Sequence, residues 1–315
     1  MGLCGKIPKC NSSISNHPVK SSFMLQKRKI LVTGGKWMLA YDFFRSQREK
    51  YEIVLTDKEE CDITSFESLL QCIHAPSPDV LLNCAAYTAV DDAEDVGMKM
   101  NYDVNTLWVY SLAKASGACG IDFITISTDY VFDGENPHGY KPTDVCNPLN
   151  AYGMAKYLGE KLALDVNPRT IVIRTSWLYG GEIYGIPSHH TDDASSPYDA
   201  RFFPQWGVYK NFMNTMLRLS ETHERVKVVD DQHGRSTSCL DLSKYISTHI
   251  DAGNDSPWGI YHFSSPRKEF AITWADFAEE IFMKYGKTTQ VIRCHSEAYP
   301  AKAKRPKWSI LLSDS

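Results

Sequence analysis

The chain lacks any run of about 18 apolar residues, so no segment offers itself as a membrane-spanning helix. It also lacks a charge excess: 34 Lys and Arg stand against 38 Asp and Glu, and the basic residues are scattered. That leaves no positive field for a nucleic acid partner. The nine cysteines form no Cys-x-x-Cys pair and no His/Cys spacing suited to zinc, so no metal is assigned and reduced thiols are expected. The first 23 residues have Ser, Asn, Pro and charge but no apolar heart of a secretory signal. Residues 1–27 read as a disordered tail, with Met24 a candidate start of translation. These absences leave a cytoplasmic globular protein. At 315 residues it exceeds what one core usually organises, so two lobes with a cleft between them are expected.

What is present is alternation. Short apolar runs (KILVTGG, EIVLTD, DVLLNCAA, DFITIST, TIVIRTSWLYG) alternate with amphipathic stretches at 38–49, 65–73, 96–116 and 152–164. Repeated βαβ units require a parallel sheet, and five such runs suit an α/β, doubly wound, Rossmann-like sheet. Residues 28–180 form this nucleotide-binding domain, with a returning segment near 234–263 that contains GIYHFSS. Residues 181–233 and 264–315 form a smaller substrate lobe. From Gly181 to Pro204 the periodicity breaks into a polar, aromatic loop whose His189, His190, Asp192 and Asp193 are read as solvated rather than metal-binding. TWADFAEEIFMKY is an amphipathic helix with Thr273 as its N-cap.

Three features carry chemistry. The first is a strand entering a glycine turn, ILVTGGKWMLA, where a backbone can approach a pyrophosphate and a helix N-terminus offers free N–H groups. The spacing G-x-x-G-x-x-G is altered: its positions hold Gly34, Trp37 and Ala40. Trp37 stands where the lack of a side chain normally lets phosphates come close. A UGA codon read as glycine but translated as tryptophan would produce this residue, which peptide mass spectrometry of the native protein tests. The second feature is Asp57, which ends EIVLTD and can accept from adenosine ribose hydroxyls. Lys58 beside it tolerates a 2′-phosphate, so NADPH and NADH both stay open. Asp62 either reaches the adenine or caps the next helix.

The third feature is Thr128, Tyr152 and Lys156. Tyr152 and Lys156 are four residues apart and share one helix face. An ammonium near a phenol lowers its pKa from about 10 and suits it to acid–base work. Such pairs also occur on ordinary surface helices. Thr128 ends an apolar strand upstream, where its hydroxyl can bind the same substrate oxygen.

The blocks ILVTGG, NCAAYTAVDDAE, ISTDYVFDG, PLNAYGMAK, RTSWLYG, DDQHGRST, GIYHFS and AYPAKAKRP occur in the order seen in dTDP-4-dehydrorhamnose reductases, over roughly residues 28–312. The chain resembles that family. The resemblance implies NADPH- or NADH-dependent reduction of the C4 ketone of dTDP-4-dehydro-L-rhamnose, with a nucleotide-sugar substrate and a homodimer as a candidate assembly. It implies Tyr152 as proton donor, Lys156 on the nicotinamide ribose, and Thr128 on the reacting oxygen. Gly34, Gly35, Met38, Leu39, Asp57, Asp62, Ile63, Ala85, Ala86, Tyr87 and Asn101 would line the cofactor. Asp129, Tyr130, Trp177 and Arg305 would border the substrate. Related nucleotide-sugar dehydratases carry Glu where this chain has Tyr130, so elimination of water is not expected. Trp308 and Leu312 depart from the family's usual Asn and Asp. Two alternatives stay open: a non-catalytic protein resembling the methionine adenosyltransferase β subunit, and an epimerase or reductase of another nucleotide sugar.

Overall fold

The structure, a computed structural model, describes residues 27–61, 65–181, 183–184 and 209–313. The N-terminal tail, Asp62 and Ile63, and the loop containing His189, His190, Asp192 and Asp193 lie outside the described residues.

The central sheet has six parallel strands: β1 (Lys29–Thr33), β2 (Glu52–Thr56), β3 (Val80–Asn83), β4 (Asp122–Thr128), β5 (Thr170–Thr175) and β6 (Gly259–His262). Their order is β6-β5-β4-β3-β1-β2, as expected for a doubly wound sheet with a returning last strand. Nearly continuous apolar runs such as VLLN and TIVIRT suit strands covered on both faces, and every residue of β3 and β5 is buried. One face packs against the helices Met38–Gln47 and Cys239–Ala252, the other against Phe66–His74 and Val109–Ala118. The chain runs to opposite sides after β1 and β3, which opens a crevice at the carboxyl ends of these strands. Within the sheet Thr33 Oγ1 donates to Asn83 Oδ1 at 2.8 Å and Asn83 Nδ2 donates to Thr125 Oγ1 at 3.1 Å, tying three strands beneath the crevice.

A separate apolar cluster joins the helices Phe212–Leu219 and Trp274–Lys284 to the strand Arg225–Val229, which pairs in parallel with Gln290–Cys294. Thr273 caps the second helix as expected, in a reciprocal box with Asp276. The expectation of uniformly reduced thiols is corrected: Cys61 and Cys72 are joined as a disulfide, their Cα atoms 6.0 Å apart. They lie eleven positions apart, Cys72 on the helix Phe66–His74 and Cys61 beyond the end of β2. No helix of the described residues is long and apolar enough to cross a membrane.

Candidate active site

Thr128 closes β4, and the turn Asp129–Val131 fixes its hydroxyl. Thr128 Oγ1 donates to Asp129 Oδ1 at 2.9 Å and accepts from the Tyr130 N–H at 3.2 Å. Tyr152 lies in the first turn of the helix Ala151–Val166, which starts where the Asn150 side chain accepts from the Gly153 N–H at 2.7 Å. Gly153 and Gly159 let this helix approach its neighbours closely. A Cβ at either would stand 2.1 Å from a carbonyl oxygen, of Tyr130 and Asn105 respectively. The close approach brings Tyr152 and Thr128 onto the wall of one cavity, and the Tyr130 and Tyr152 rings meet edge to face at 5.7 Å. One turn on, the buried Lys156 donates from Nζ to the Ile126 carbonyl at 2.6 Å.

Burial, and then the charge of Asp129, pushes the Tyr152 hydroxyl well above its ordinary value, against the opposing influence of the Thr128 hydroxyl. Burial pushes Lys156 down to about 8, opposed by Glu160. The expectation that Lys156 draws Tyr152 toward neutrality is therefore corrected. Burial is the largest cause, the Lys156 ammonium donates to the Ile126 carbonyl, and Tyr152 is held as a phenol able to give a proton. Burial also raises the Asp129 carboxyl to about 6, against hydrogen bonds from Ser309 and Thr128.

A cavity of about 400 Å³ covers this group and brings together Met38, Leu39, Ala85, Ala86, Thr128, Asp129, Tyr152, Lys156 and Trp177. A neighbouring cavity of about 310 Å³ at the end of β2 is lined by Gly34, Asp57, Lys58, Ala85, Ala86 and Tyr87. Trp37 lines both and partitions them. The residues here fit a dinucleotide. Gly34 has φ +70°, and a Cβ on it would stand 2.6 Å from the Ala85 nitrogen, so only glycine makes this turn. The Gly35 N–H bonds to the Thr56 carbonyl at 2.9 Å, fastening the turn to β2. The helix Met38–Gln47 begins with no side chain capping its first amides, leaving them for an anionic group. Asp57 is held at the rim by the N–H groups of Lys36 at 3.1 Å and Lys58 at 2.8 Å.

Asn101 lies behind the groove instead of lining it. It is fully buried, its Nδ2 donates to the Ala151 carbonyl at 2.9 Å, and its Oδ1 accepts from Asn105 at 2.8 Å. It steadies the start of the Tyr152 helix, next to a π-helical segment at Asp103–Trp108.

A third cavity, of about 560 Å³, opens toward the second cluster. Tyr130 and Arg305 line it with Lys227, Lys304, Phe212 and Trp274. Arg305 is already paired, its Nη2 lying 2.8 Å from Asp91 Oδ2 and its Nη1 donating to the Ala303 carbonyl at 3.2 Å. Trp177 adopts φ +48°, a strained value for a bulky residue, and stacks on Trp274 at 3.7 Å. This pair forms the wall between the first and third cavities. Sequence reasoning missed Lys227, Lys304, Phe212 and Trp274. They come from four separate segments, and no spacing links them.

The family profile described as the RmlD substrate binding domain matches residues 28–195 and 202–315. The dTDP-4-dehydrorhamnose reductase of Aggregatibacter actinomycetemcomitans is 34% identical, over 90% of this chain and 90% of that protein. A crystal structure of a dTDP-4-dehydrorhamnose reductase from Clostridium acetobutylicum, 34% identical, superposes with a TM-score of 0.77 and covers 90% of both chains. The Bacillus anthracis dTDP-4-dehydrorhamnose reductase, solved in complex with NADP, is 31% identical, covers 92% of both chains and has a TM-score of 0.79. The chain belongs to the RmlD substrate binding domain family, that of the dTDP-4-dehydrorhamnose reductases.

Proposed function

We propose that this chain reduces the C4 ketone of dTDP-4-dehydro-L-rhamnose to dTDP-L-rhamnose with NADPH or NADH. The observation that carries this reading is the convergence of Thr128, Tyr152 and Lys156 on one cavity at the carboxyl edge of the sheet, Lys156 one helix turn behind Tyr152. Bound in the groove, the dinucleotide supplies hydride. Gly34, Gly35, Met38 and Leu39 would hold its pyrophosphate, Asp57 its adenosine ribose, and Ala85, Ala86 and Tyr87 its flank. Lys36 and Lys58 beside Asp57 accommodate a 2′-phosphate, so both cofactors fit.

Tyr152, held as a phenol, gives its proton to the oxygen at C4, and Thr128 and Asp129 orient that oxygen. Lys156 would hold the nicotinamide ribose. Trp177 and Tyr130 border the sugar. The cations and aromatic rings of the third cavity suit a nucleoside diphosphate. Tyr130 offers no carboxylate to abstract a proton for dehydration. Residues 28–180 with 234–263 would carry the cofactor, and 181–233 with 264–315 the sugar nucleotide. The protein would work in the cytoplasm as a homodimer without nucleic acid or membrane partners.

The test is fluorescence titration with NADPH and NADH, followed by addition of dTDP-4-dehydro-L-rhamnose with absorbance read at the nicotinamide band. Substrate-dependent oxidation is expected. Cofactor binding without oxidation would leave a binding protein instead.

A further inference from the structure

We propose that Gln232 reads the nucleobase of the sugar nucleotide in the third cavity, its carbonyl accepting the ring N–H of thymine or uracil and turning cytosine away. The proposal rests on the reductase reading above and deepens it. Lys227, Lys304 and Arg305 of that cavity can grip any diphosphate, so charge alone does not choose the base.

Gln232 lines the cavity beside Ser296, and a chain of hydrogen bonds fixes which way its amide faces. Ser296 Oγ donates to Asp231 Oδ1 at 2.6 Å, and the Ser296 N–H reaches the same oxygen at 3.0 Å. Burial opposes the charge on Asp231, yet these bonds hold its carboxyl below the ordinary value, so it remains an acceptor. With its one hydrogen committed there, Ser296 Oγ is left to accept, and it does so from Gln232 Nε2 at 2.9 Å. Turning the amide over would set Oε1 against Ser296 Oγ with no proton between them. Among the described residues none donates to Gln232 Oε1, which leaves that oxygen to the cavity. The backbone is held as well, because the next residues, His233–Gly234, form the central strand between Ile272–Thr273 and Trp308–Ser309.

A pinned acceptor selects by polarity. Phosphate oxygens bring it no proton. A sugar hydroxyl turns its proton to suit donor or acceptor alike, so it would meet either end of the amide equally well. The edge of a base cannot turn. Thymine and uracil carry a hydrogen on N3, whereas cytosine presents a bare lone pair at the same place, which would face Oε1 lone pair to lone pair. A site built around a fixed hydrogen bond rejects the ligand that lacks its partner. Phe212, Trp274 and Tyr299 line the same cavity and give it ring surface on which a base can stack.

The test is isothermal titration of the full chain with dTDP and with 5-methyl-dCDP, which share methyl group, deoxyribose and diphosphate and differ only along the N3–C4 edge. Binding of neither by the wild type would defeat the reductase reading itself. With dTDP bound, the wild type should hold it at least about tenfold more tightly than 5-methyl-dCDP, the worth of one matched hydrogen bond over an opposed pair. Gln232→Leu should bring the two affinities to within about twofold of each other, because leucine offers neither donor nor acceptor. Equal affinities in the wild type, or the wild-type preference kept in the folded Leu variant, overturns the proposal. Should the Leu variant fail to fold, Ser296→Ala carries the test. With Nε2 no longer pinned, the amide turns to suit either base and the preference should narrow to about twofold. An unchanged preference in that variant rejects Gln232 as the reader of the base.

Discussion

Gly153 and Tyr130 meet backbone to backbone: a Cβ on Gly153 would stand 2.1 Å from the Tyr130 carbonyl oxygen. That contact sets the depth at which the helix bearing Tyr152 and Lys156 sits against the end of β4. An added methyl must push the helix outward. Gly153→Ala should therefore cost roughly 1–3 kcal/mol, as overpacking does, and carry Tyr152 away from Thr128. A lowered urea midpoint together with a lowered kcat checks this, and an unchanged midpoint would show that the helix yields freely.

Tyr152→Phe removes the phenolic proton and keeps the ring against Tyr130 at the edge-to-face distance of 5.7 Å. Turnover should fall about 10²- to 10⁴-fold, the usual worth of a positioned proton donor. NADPH affinity should stay nearly the same, since the ring and Lys156 remain. Kd from fluorescence and kcat from nicotinamide absorbance separate the two effects, and retained turnover would remove Tyr152 from the acid role.

The sheet was legible in the sequence because strands buried on both faces must be continuously apolar and their connections helical, which KILVTGG, VLLN and TIVIRT display. Thr128, Tyr152 and Lys156 were legible because two of them share one helix turn and the third ends a strand. Asn101, named through the resemblance, lines neither groove cavity, and its partners, the Ala151 carbonyl and Asn105, are set by packing that no spacing displays. The elevated pKa of Tyr152 was also out of reach. Spacing reveals that a lysine is near, but the desolvation that wins is a property of the folded cavity.

Two buried groups should give opposing pH dependences of stability. His262 is pushed from 6.5 down to about 4 by burial and then by Arg174. The unfolded chain takes up this proton before the folded one, so stability is lost as pH falls from 6.5 toward 4. Asp129 is raised from 3.8 to about 6 by burial. The folded chain takes up this proton first, so stability is gained as pH falls from about 6 toward 3.8. Each slope is at most about 1.4 kcal/mol per pH unit. In Asp129→Asn the gain is missing, and stability should fall more steeply between pH 6 and 4 than in wild type. Urea midpoints across that range test it, and parallel curves would mean that Asp129 titrates alike in both states.

Trp37 stands at the crossing between the adenosine-end and catalytic cavities and is 40% exposed. It occupies the N-cap of the helix Met38–Gln47 with an extended backbone and no side-chain capping bond, so its indole does nothing for the helix end. A dinucleotide joining the two cavities must pass the place where this ring stands. Trp37→Gly should clear that path at little cost to the helix, because glycine is an acceptable N-cap. NADPH and NADH should both bind about tenfold more tightly, about 1.4 kcal/mol, with the cofactor-free melting temperature nearly unchanged. Trp37→Ala should fall between. Equal affinities in wild type and both variants would mean that the indole already lies clear of the path, whereas weaker binding in the variants would make it a surface on which the cofactor rests.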